Sequence, residues 1–158
     1  MAKKQPVGKL NFGGMDYADL NGADMSRAKC VQDVKVLELS NSFGWRGKWN
    51  FRHIEKVFLC YASDLSKVDC MVGAKVMSFY GAKSLPKVID LMDTDEAYFY
   101  YADFSSVESV KCKAGTKLHG LDLCKNWQGK IKYCFNEPKP VKDNFSILLS
   151  LLLKQNQH

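Results

Sequence analysis

ADMSRAKC, SDLSKVDC and ADFSSVES, at residues 23–30, 63–70 and 102–109, are three copies of one eight-residue pattern. Each copy has a small residue, an Asp, a large apolar residue and a Ser, and then Ala or Val two residues later. The aspartates lie at positions 24, 64 and 103, so the two steps between them are nearly equal. A recurring step of about 40 residues is typical of repeat architectures, in which one structural unit stacks on the next. We therefore read the rest of the chain as a repeat protein.

A second recurring element runs in step with the first. GKLNF at residues 8–12 returns as GKWNF at 47–51, and more loosely as AKV at 74–76, TKL at 116–118 and GKIKY at 129–133. A turn-forming residue, a Lys and an alternating apolar segment together indicate a half-buried β-strand. The lysines at 9 and 48 are separated by the same step as the aspartates, but the later spacings are irregular. The irregularity predicts insertions that loop outward from a stack of coils.

A finer rhythm of five residues is present in ADLNG, ADMSR and AKCVQ, at residues 18–32. It resembles the pentapeptide-repeat family, whose motif is Ala, then Asp or Asn, then Leu, and two variable residues. The resemblance implies a right-handed β-helix with about 20 residues per coil, so that the longer step covers two coils. The residues implied to point inward are Leu20, Met25 and Cys30, with Ala18, Ala23 and Ala28 beside them.

The remaining strands are richer in Val, Ile and Phe than a strict five-residue repeat allows, as in residues 54–59 and 85–91. They resemble the degenerate leucine- and valine-rich β-solenoid repeats of bacterial proteins. Stacked coils bury their apolar columns at about 25 cal/mol per Å² and pair each strand with the next. The sequence therefore predicts an all-β fold, a right-handed β-helix (β-solenoid) of a few stacked coils with a short C-terminal capping helix.

Three segments follow from this interpretation. Residues 1–7 are a basic lead-in, residues 8–136 form the β-solenoid, and residues 137–158 are a Pro-containing linker with an apolar helix at 145–153. The helix is expected to cover the exposed sheet edge at the end of the stack. The alternative is a tail that docks onto a partner or onto a second copy of the chain. Self-association would then use Phe145, Leu148, Leu149 and Leu152.

Charge and hydropathy limit the partners and the location. The net charge is +6, which permits contact with nucleic acid but does not require it. The first residues lack the apolar core of a secretory signal, and the apolar run at 145–153 is about half of the ~20 residues that a membrane helix needs. We therefore expect a soluble, cytoplasmic protein without a membrane span.

The six cysteines, at 30, 60, 70, 112, 124 and 134, contain no C-x-x-C pair. This spacing argues against a structural zinc site. Reduced cysteines that pack as small apolar residues are favoured over disulfides. Cys30 and Cys70 occupy the same position of the repeat, which predicts that they lie one above the other.

The most distinctive segment outside the repeat is FGWRGKWNFRH at residues 43–53. Its aromatic and cationic residues could stack on bases or sugars while contacting phosphates, so that Trp45, Arg46, Trp49 and Arg52 are the candidate ligand-binding residues. The competing interpretation places Trp49 in the core of a repeated strand and leaves Trp45, Arg46 and Arg52 at the surface.

Other polar residues point to structure rather than chemistry. An Asp followed two residues later by Ser is ordinary turn chemistry, with the carboxylate accepting backbone N–H groups. The acidic residues at 90, 93, 95 and 96 lack the Gly and distal Glu of a calcium-binding loop. No nucleophile and base, phosphate-binding loop or metal-ligand set is recognisable, so we predict no catalytic residue, metal or cofactor.

The sequence thus favours a non-catalytic repeat scaffold that mediates protein–protein interaction. The alternative is a nucleic-acid-associated module that makes direct basic contacts. Some pentapeptide-repeat proteins imitate DNA, but that requires an acidic surface, whereas this chain is basic. A carbohydrate-active β-helix enzyme is a third hypothesis.

Overall fold

Parallel β-strands make up nearly all the regular structure of the chain. The computed structural model describes residues 4–127, followed by two strands at 131–134 and 140–141. The strands are β1 (Gly8–Asp19), β2 (Ala28–Glu38), β3 (Gly47–Asn50), β4 (Lys56–Phe58), β5 (Val68–Val72), β6 (Val76–Ser78), β7 (Val88–Leu91), β8 (Glu96–Tyr98), β9 (Ser109–Cys112), β10 (Lys117–His119), β11 (Ile131–Cys134) and β12 (Pro140–Val141). A 3₁₀ turn at Leu121–Leu123 follows β10.

The strands form two parallel sheets, and the chain alternates between them after β2. One sheet has the order β1-β2-β4-β6-β8-β10-β12, and the other has the order β11-β9-β7-β5-β3. Equivalent positions of the first sheet recur at a nearly constant step, at Tyr17, Val36, Lys56, Val76, Glu96 and Lys117. One coil therefore contains about 20 residues, and the longer repeat read from the aspartates spans two coils. The predicted β-solenoid is confirmed.

Inward-facing side chains stack in columns that continue from coil to coil. One column of the first sheet contains Ala18, Leu37, Val57, Met77, Ala97 and Leu118, all buried. Another, behind the second sheet, contains Trp49, Met71, Ile89 and Val110. Because the side chain on one coil touches its counterpart on the next, ladder hydrogen bonds and apolar columns stabilise the same register.

The irregular spacing of the lysine-containing strands has a different cause from the one that we predicted. The strands β1 and β2 each span two faces of the solenoid. Residues 8–12, the first half of β1, lie on the same face as 47–51, two coils apart, whereas β6 and β10 stack in line with the second half of β1. The looser copies are therefore not equivalent positions of the repeat, because they lie on different faces of the coil. The coils themselves keep a nearly constant step, so the predicted insertions are not needed.

One predicted inward position is also corrected. Met25 is buried as expected and Leu20 packs partly against the core, but Val31, rather than Cys30, takes the inward position in β2. The pairing of β1 with β2 shifts register between Gly8 and Lys9, which accommodates an extra residue in β2. The shift moves the next inward side chain on by one residue.

Cys30 and Cys70 are not neighbours in the stack. Cys30 pairs with Lys9 of β1 and Cys70 pairs with Lys48 of β3, so that β3 lies between the two coils. Strands two coils apart are separated by about 10 Å, whereas a disulfide needs Cα atoms within about 7 Å. In the part of the chain that is described, Cys112 is buried, and Cys30, Cys60, Cys70 and Cys124 are partly buried free thiols.

The C-terminal predictions fall mainly outside the described residues, including the helix at 145–153 and its apolar side chains. Pro140–Val141, placed in the linker by the sequence analysis, forms β12 and pairs with Leu118 and His119 of β10. Within the described part of the chain, no helix has the length and apolar character needed to cross a bilayer.

Candidate functional site

The four ligand-binding candidates do not form one exposed group. Trp45 and Trp49 are only 2% and 3% exposed, and their ring centroids are 4.7 Å apart in an edge-to-face pair. Trp45 Nε1 donates to Ser42 Oγ at 2.8 Å, and Trp49 Nε1 donates to the Arg46 carbonyl at 2.9 Å. Trp45, which one interpretation placed at the surface, is therefore a core residue.

The two arginines of this segment lie at opposite ends of β3. Arg46 precedes the strand and donates to the carbonyl of Ser26 at 3.0 Å. Arg52 follows the strand, and its Nε lies 2.6 Å from Asp93 Oδ2. The strand separates them, so of the four candidates only Arg46 remains as an exposed cation on the side of the solenoid that precedes β3.

The repeated aspartates have the structural role that the spacing predicted. Asp24, Asp64 and Asp103 each accept the backbone N–H of the residue two positions on, at 3.0, 3.0 and 2.9 Å. Asp64 also accepts from Ser84 Oγ at 2.8 Å, and Asp103 from Asn126 Nδ2 at 3.0 Å, both in the following coil. Hydrogen bonds from serine to Asp64, and chiefly from Asn126 to Asp103, lower the pKa of these carboxyl groups.

The acidic residues from 90 to 96 are held by separate partners. Asp93 pairs with Arg52, and Asp95 Oδ1 lies 3.2 Å from Lys113 Nζ. Asp90 accepts the backbone N–H of Met92 at 3.0 Å. Across the described part of the chain, no group of three or more His, Cys, Asp or Glu side chains could hold a metal ion.

The most distinctive surface of the described residues consists of tyrosines, none of which was among the predicted site residues. Of the six tyrosines whose side chains are described, five lie close together; we call Tyr61, Tyr80, Tyr98, Tyr100 and Tyr101 the tyrosine patch. The ring of Tyr80 is central, with centroid distances of 5.6 Å to Tyr61, 6.0 Å to Tyr100 and 5.6 Å to Tyr101. The spacing of residues 61, 80 and 100, close to one coil, was the available signal.

The backbone at this corner takes a conformation that tyrosine rarely adopts. Gly22, Asn41, Tyr61, Gly81 and Tyr101 occupy the same corner of successive coils, with φ of 70°, 58°, 56°, 65° and 60°. In each coil the corner is the third residue of a four-residue turn; for example, Ala62 N–H donates to the Leu59 carbonyl at 3.2 Å. Gly and Asn suit that position, whereas a bulky residue is strained there by about 1–2 kcal/mol.

The two strained tyrosines are also the most exposed members of the patch. Tyr61 is 54% exposed and Tyr101 is 49% exposed, while Tyr80 is half-buried between them. The glycine at 81 makes room for the patch, because a Cβ there would lie 2.6 Å from the Tyr61 ring. A shallow depression of about 330 Å³ is lined by Ser78, Tyr80, Tyr98, Tyr100, Tyr101 and Leu123.

A hydrogen-bonded acidic group adjoins the patch. The Tyr98 hydroxyl donates to Glu96 Oε2 at 2.8 Å, and His119 Nε2 lies 3.3 Å from the same oxygen. The rings of Tyr98 and His119 stack at 4.3 Å. The hydrogen bond from Tyr98 lowers the pKa of Glu96 and raises the pKa of Tyr98, so that the carboxylate stays charged beside the aromatic surface.

The chain matches no protein-family model, no curated protein and no solved structure. The geometry of the described residues must therefore support any function that is proposed.

Proposed function

We propose that this protein is a non-catalytic β-solenoid scaffold, of the pentapeptide-repeat type, that binds a protein partner through the tyrosine patch. The observation that carries the proposal is the pair of exposed tyrosines, Tyr61 and Tyr101, at corners where other coils have Gly or Asn. An exposed aromatic residue with a strained backbone stabilises the fold less than a buried aromatic residue of the same size. Backbone strain of this kind clusters at sites of function.

Tyrosine is well suited to protein recognition. Its ring supplies a large apolar surface with few rotatable bonds, and Tyr is enriched among the residues that dominate binding energy at interfaces. The contacts of Tyr80 with Tyr61 and Tyr101 hold the rings in place before a partner arrives, which reduces the entropy lost on binding.

The partner is expected to combine apolar and basic groups. The rings supply apolar contact area and faces that attract a cation, and Glu96 adds a negative charge at the edge of the patch. A segment with a Lys or Arg beside apolar side chains would meet both features. The repeated aspartates, by contrast, are occupied by turn hydrogen bonds, which favours a binding role over a catalytic one.

The proposal is tested by photo-crosslinking in the cells that make the protein, with p-benzoyl-phenylalanine in place of Tyr61. The matched control carries the same probe at Gln32, an exposed position on β2. We expect a specific protein adduct from position 61 that disappears when Tyr101→Asn is added. A second copy of the chain as the adduct would make the surface a self-association site instead.

Affinity measurements with the identified partner complete the test. An interface tyrosine of this kind contributes about 2 kcal/mol, so that Tyr61→Asn should weaken binding roughly 30-fold. An adduct formed equally from Gln32, or an affinity that Tyr61→Asn and Tyr101→Asn leave unchanged, would refute the proposal.

A further inference from the structure

The hydrogen-bonded stack is interrupted between β2 and β3. The first half of β2 (residues 28–32) lies on the same face of the solenoid as β3 and pairs with β1. No ladder joins it to β3, whose strand neighbour in the described residues is β5. Elsewhere the adjacent coils stay in contact, since Met25 N–H donates to the Phe43 carbonyl at 2.8 Å. We attribute the break to the paired indoles of Trp45 and Trp49, because Trp49 takes the core position that the slimmer Met71 has in the next coil.

A cleft opens where the ladder is interrupted. It has a volume of about 460 Å³ and is lined by residues on both sides of the break, including Arg27 and Lys29 from one coil and Arg46 and Lys48 from the next. We call these four residues the basic cleft. The lining contains no carboxylate; its other residues are Val7, Ser26, Ala28, Gly47 and Trp49.

The charges of the basic cleft are not neutralised by ion pairs. Some cations elsewhere on the described surface have an acidic partner, as Lys35 has with Asp16 at 3.3 Å and Lys87 with Asp69 at 3.6 Å. None of the four cleft residues takes part in an ion pair between described residues. An adjoining depression is lined by Arg46, Asp64 and Lys67. Asp24 lies beside the cleft as well, where it accepts the backbone N–H of Ser26 at 3.0 Å. Four positively charged residues around one cleft whose lining holds no carboxylate favour an anionic ligand.

The chemistry of the basic cleft selects phosphate in particular. Arginine binds phosphate oxygens with two parallel hydrogen bonds, and lysine adds a compact positive charge. The open edge of a sheet can present further backbone N–H groups to an anion. The indoles of Trp45 and Trp49 are buried, so they cannot stack on a base. Recognition would therefore depend on the phosphates and not on the base sequence.

We propose that the basic cleft binds the phosphate groups of an oligophosphate or of a nucleic-acid strand. This site is independent of the tyrosine patch, because it lies between β2 and β3 and the patch lies on later coils. The basic cleft would allow the protein to associate with nucleic acid independently of the base sequence.

The experiment uses two probes and two charge-matched double variants of the whole protein. The probes are inorganic tripolyphosphate, followed by calorimetry, and a fluorescein-labelled mixed-sequence single-stranded oligonucleotide, followed by anisotropy. The cleft variant is Lys29→Gln with Lys48→Gln, and the control is Lys56→Gln with Lys117→Gln, in β4 and β10. Both variants lose two positive charges, and thermal melting checks that both fold.

The cleft variant is expected to weaken binding about tenfold, while the control retains nearly the affinity of the wild type. For four phosphate contacts on a single strand, log K should fall with log salt at a slope of about −2.8, and the cleft variant should halve it. Tighter binding of the oligonucleotide identifies a nucleic-acid ligand, and tighter binding of tripolyphosphate identifies a free oligophosphate.

Two results would overturn the proposal. Equal weakening by the cleft and control variants would show attraction by net charge alone. Absence of binding by both probes at about 0.1 M salt, where charges are screened beyond about 10 Å, would show that the cleft is not a phosphate site. Tyr61→Asn should leave phosphate binding unchanged, so failure of one proposal can be told apart from failure of the other.

Discussion

Two substitutions of Tyr61 distinguish the free-energy cost of its strained backbone from the stabilisation that its ring provides. Tyr61→Ala and Tyr61→Asn remove the same aromatic contact with Tyr80, but they leave different residues at a corner with φ of 56°. Ala is strained in this left-handed region by about 1–2 kcal/mol, whereas Asn adopts it readily. Asn41 occupies the same corner of the preceding coil with φ of 58°.

We therefore expect Tyr61→Asn to be more stable than Tyr61→Ala by about 1 kcal/mol. The size of the chain makes this a difference of about 2–4 °C in the melting temperature. The loss of the edge-to-face contact, worth about 0.5–1.5 kcal/mol, is common to both variants and cancels in the comparison. Thermal and urea denaturation, followed by circular dichroism, would measure the difference in stability between the two variants.

The same pair of substitutions at Tyr80 provides the control, because Tyr80 lies beside the corner and has no positive φ. Tyr80→Asn should have no such advantage over Tyr80→Ala. Equal stability of Tyr61→Ala and Tyr61→Asn would refute the prediction, because it would show that the corner imposes no backbone strain on the residue at position 61.

Three further outcomes follow from the coil geometry. Asn126 lowers the pKa of Asp103 below its ordinary 3.8. The charged Asp103 therefore stabilises the fold fully above that pH, and this stabilisation is lost as the pH falls through the folded-state pKa. In an acid titration, the free energy of unfolding should fall less for Asp103→Asn than for the wild type. Gly44→Ala should cost at least about 1–2 kcal/mol in urea denaturation, since φ is 78° and the new Cβ would lie 2.5 Å from Asp24 Oδ1. Phe79→Ala should cost about 3–5 kcal/mol in the same assay, because the buried ring stacks on Phe99 at 5.3 Å; a cost below about 1 kcal/mol would contradict continuous core columns.

The tyrosine patch illustrates how a repeat architecture can acquire a binding surface. The corner that recurs from Gly22 to Tyr101 has nearly the same φ in five coils, so side chains at this corner lie one coil apart on the same surface. Gly22, Asn41 and Gly81 satisfy the corner without strain, and Tyr61 and Tyr101 depart from that rule side by side with Tyr80. Departures from the repeat, rather than the repeat itself, mark the surface that we propose to be functional.

A large part of the fold could be predicted from the sequence because the determining forces are local and recur. The position of each Asp two residues before a backbone donor specifies the same turn in three coils, at 24, 64 and 103. Apolar residues at a constant step specify the columns. Turn chemistry and period therefore predicted a β-solenoid with a repeat step of about 40 residues, without knowledge of any long-range contact. The value of about 20 residues per coil was implied only by the resemblance to pentapeptide repeats.

The tertiary structure alone decided which faces the strands join and which side chains meet. The lysine-containing strands look alike in sequence, yet β3 and β6 lie in different sheets. Trp45 and Trp49 resemble a ligand-binding pair until their burial is known. Tyr80 and Tyr100 come together because parallel coils place equivalent residues next to each other, at a strand separation of about 4.8 Å. Tyr61 and Tyr101 contact Tyr80 from the adjoining corner position. That proximity depends on the register of the whole stack, which no single segment specifies.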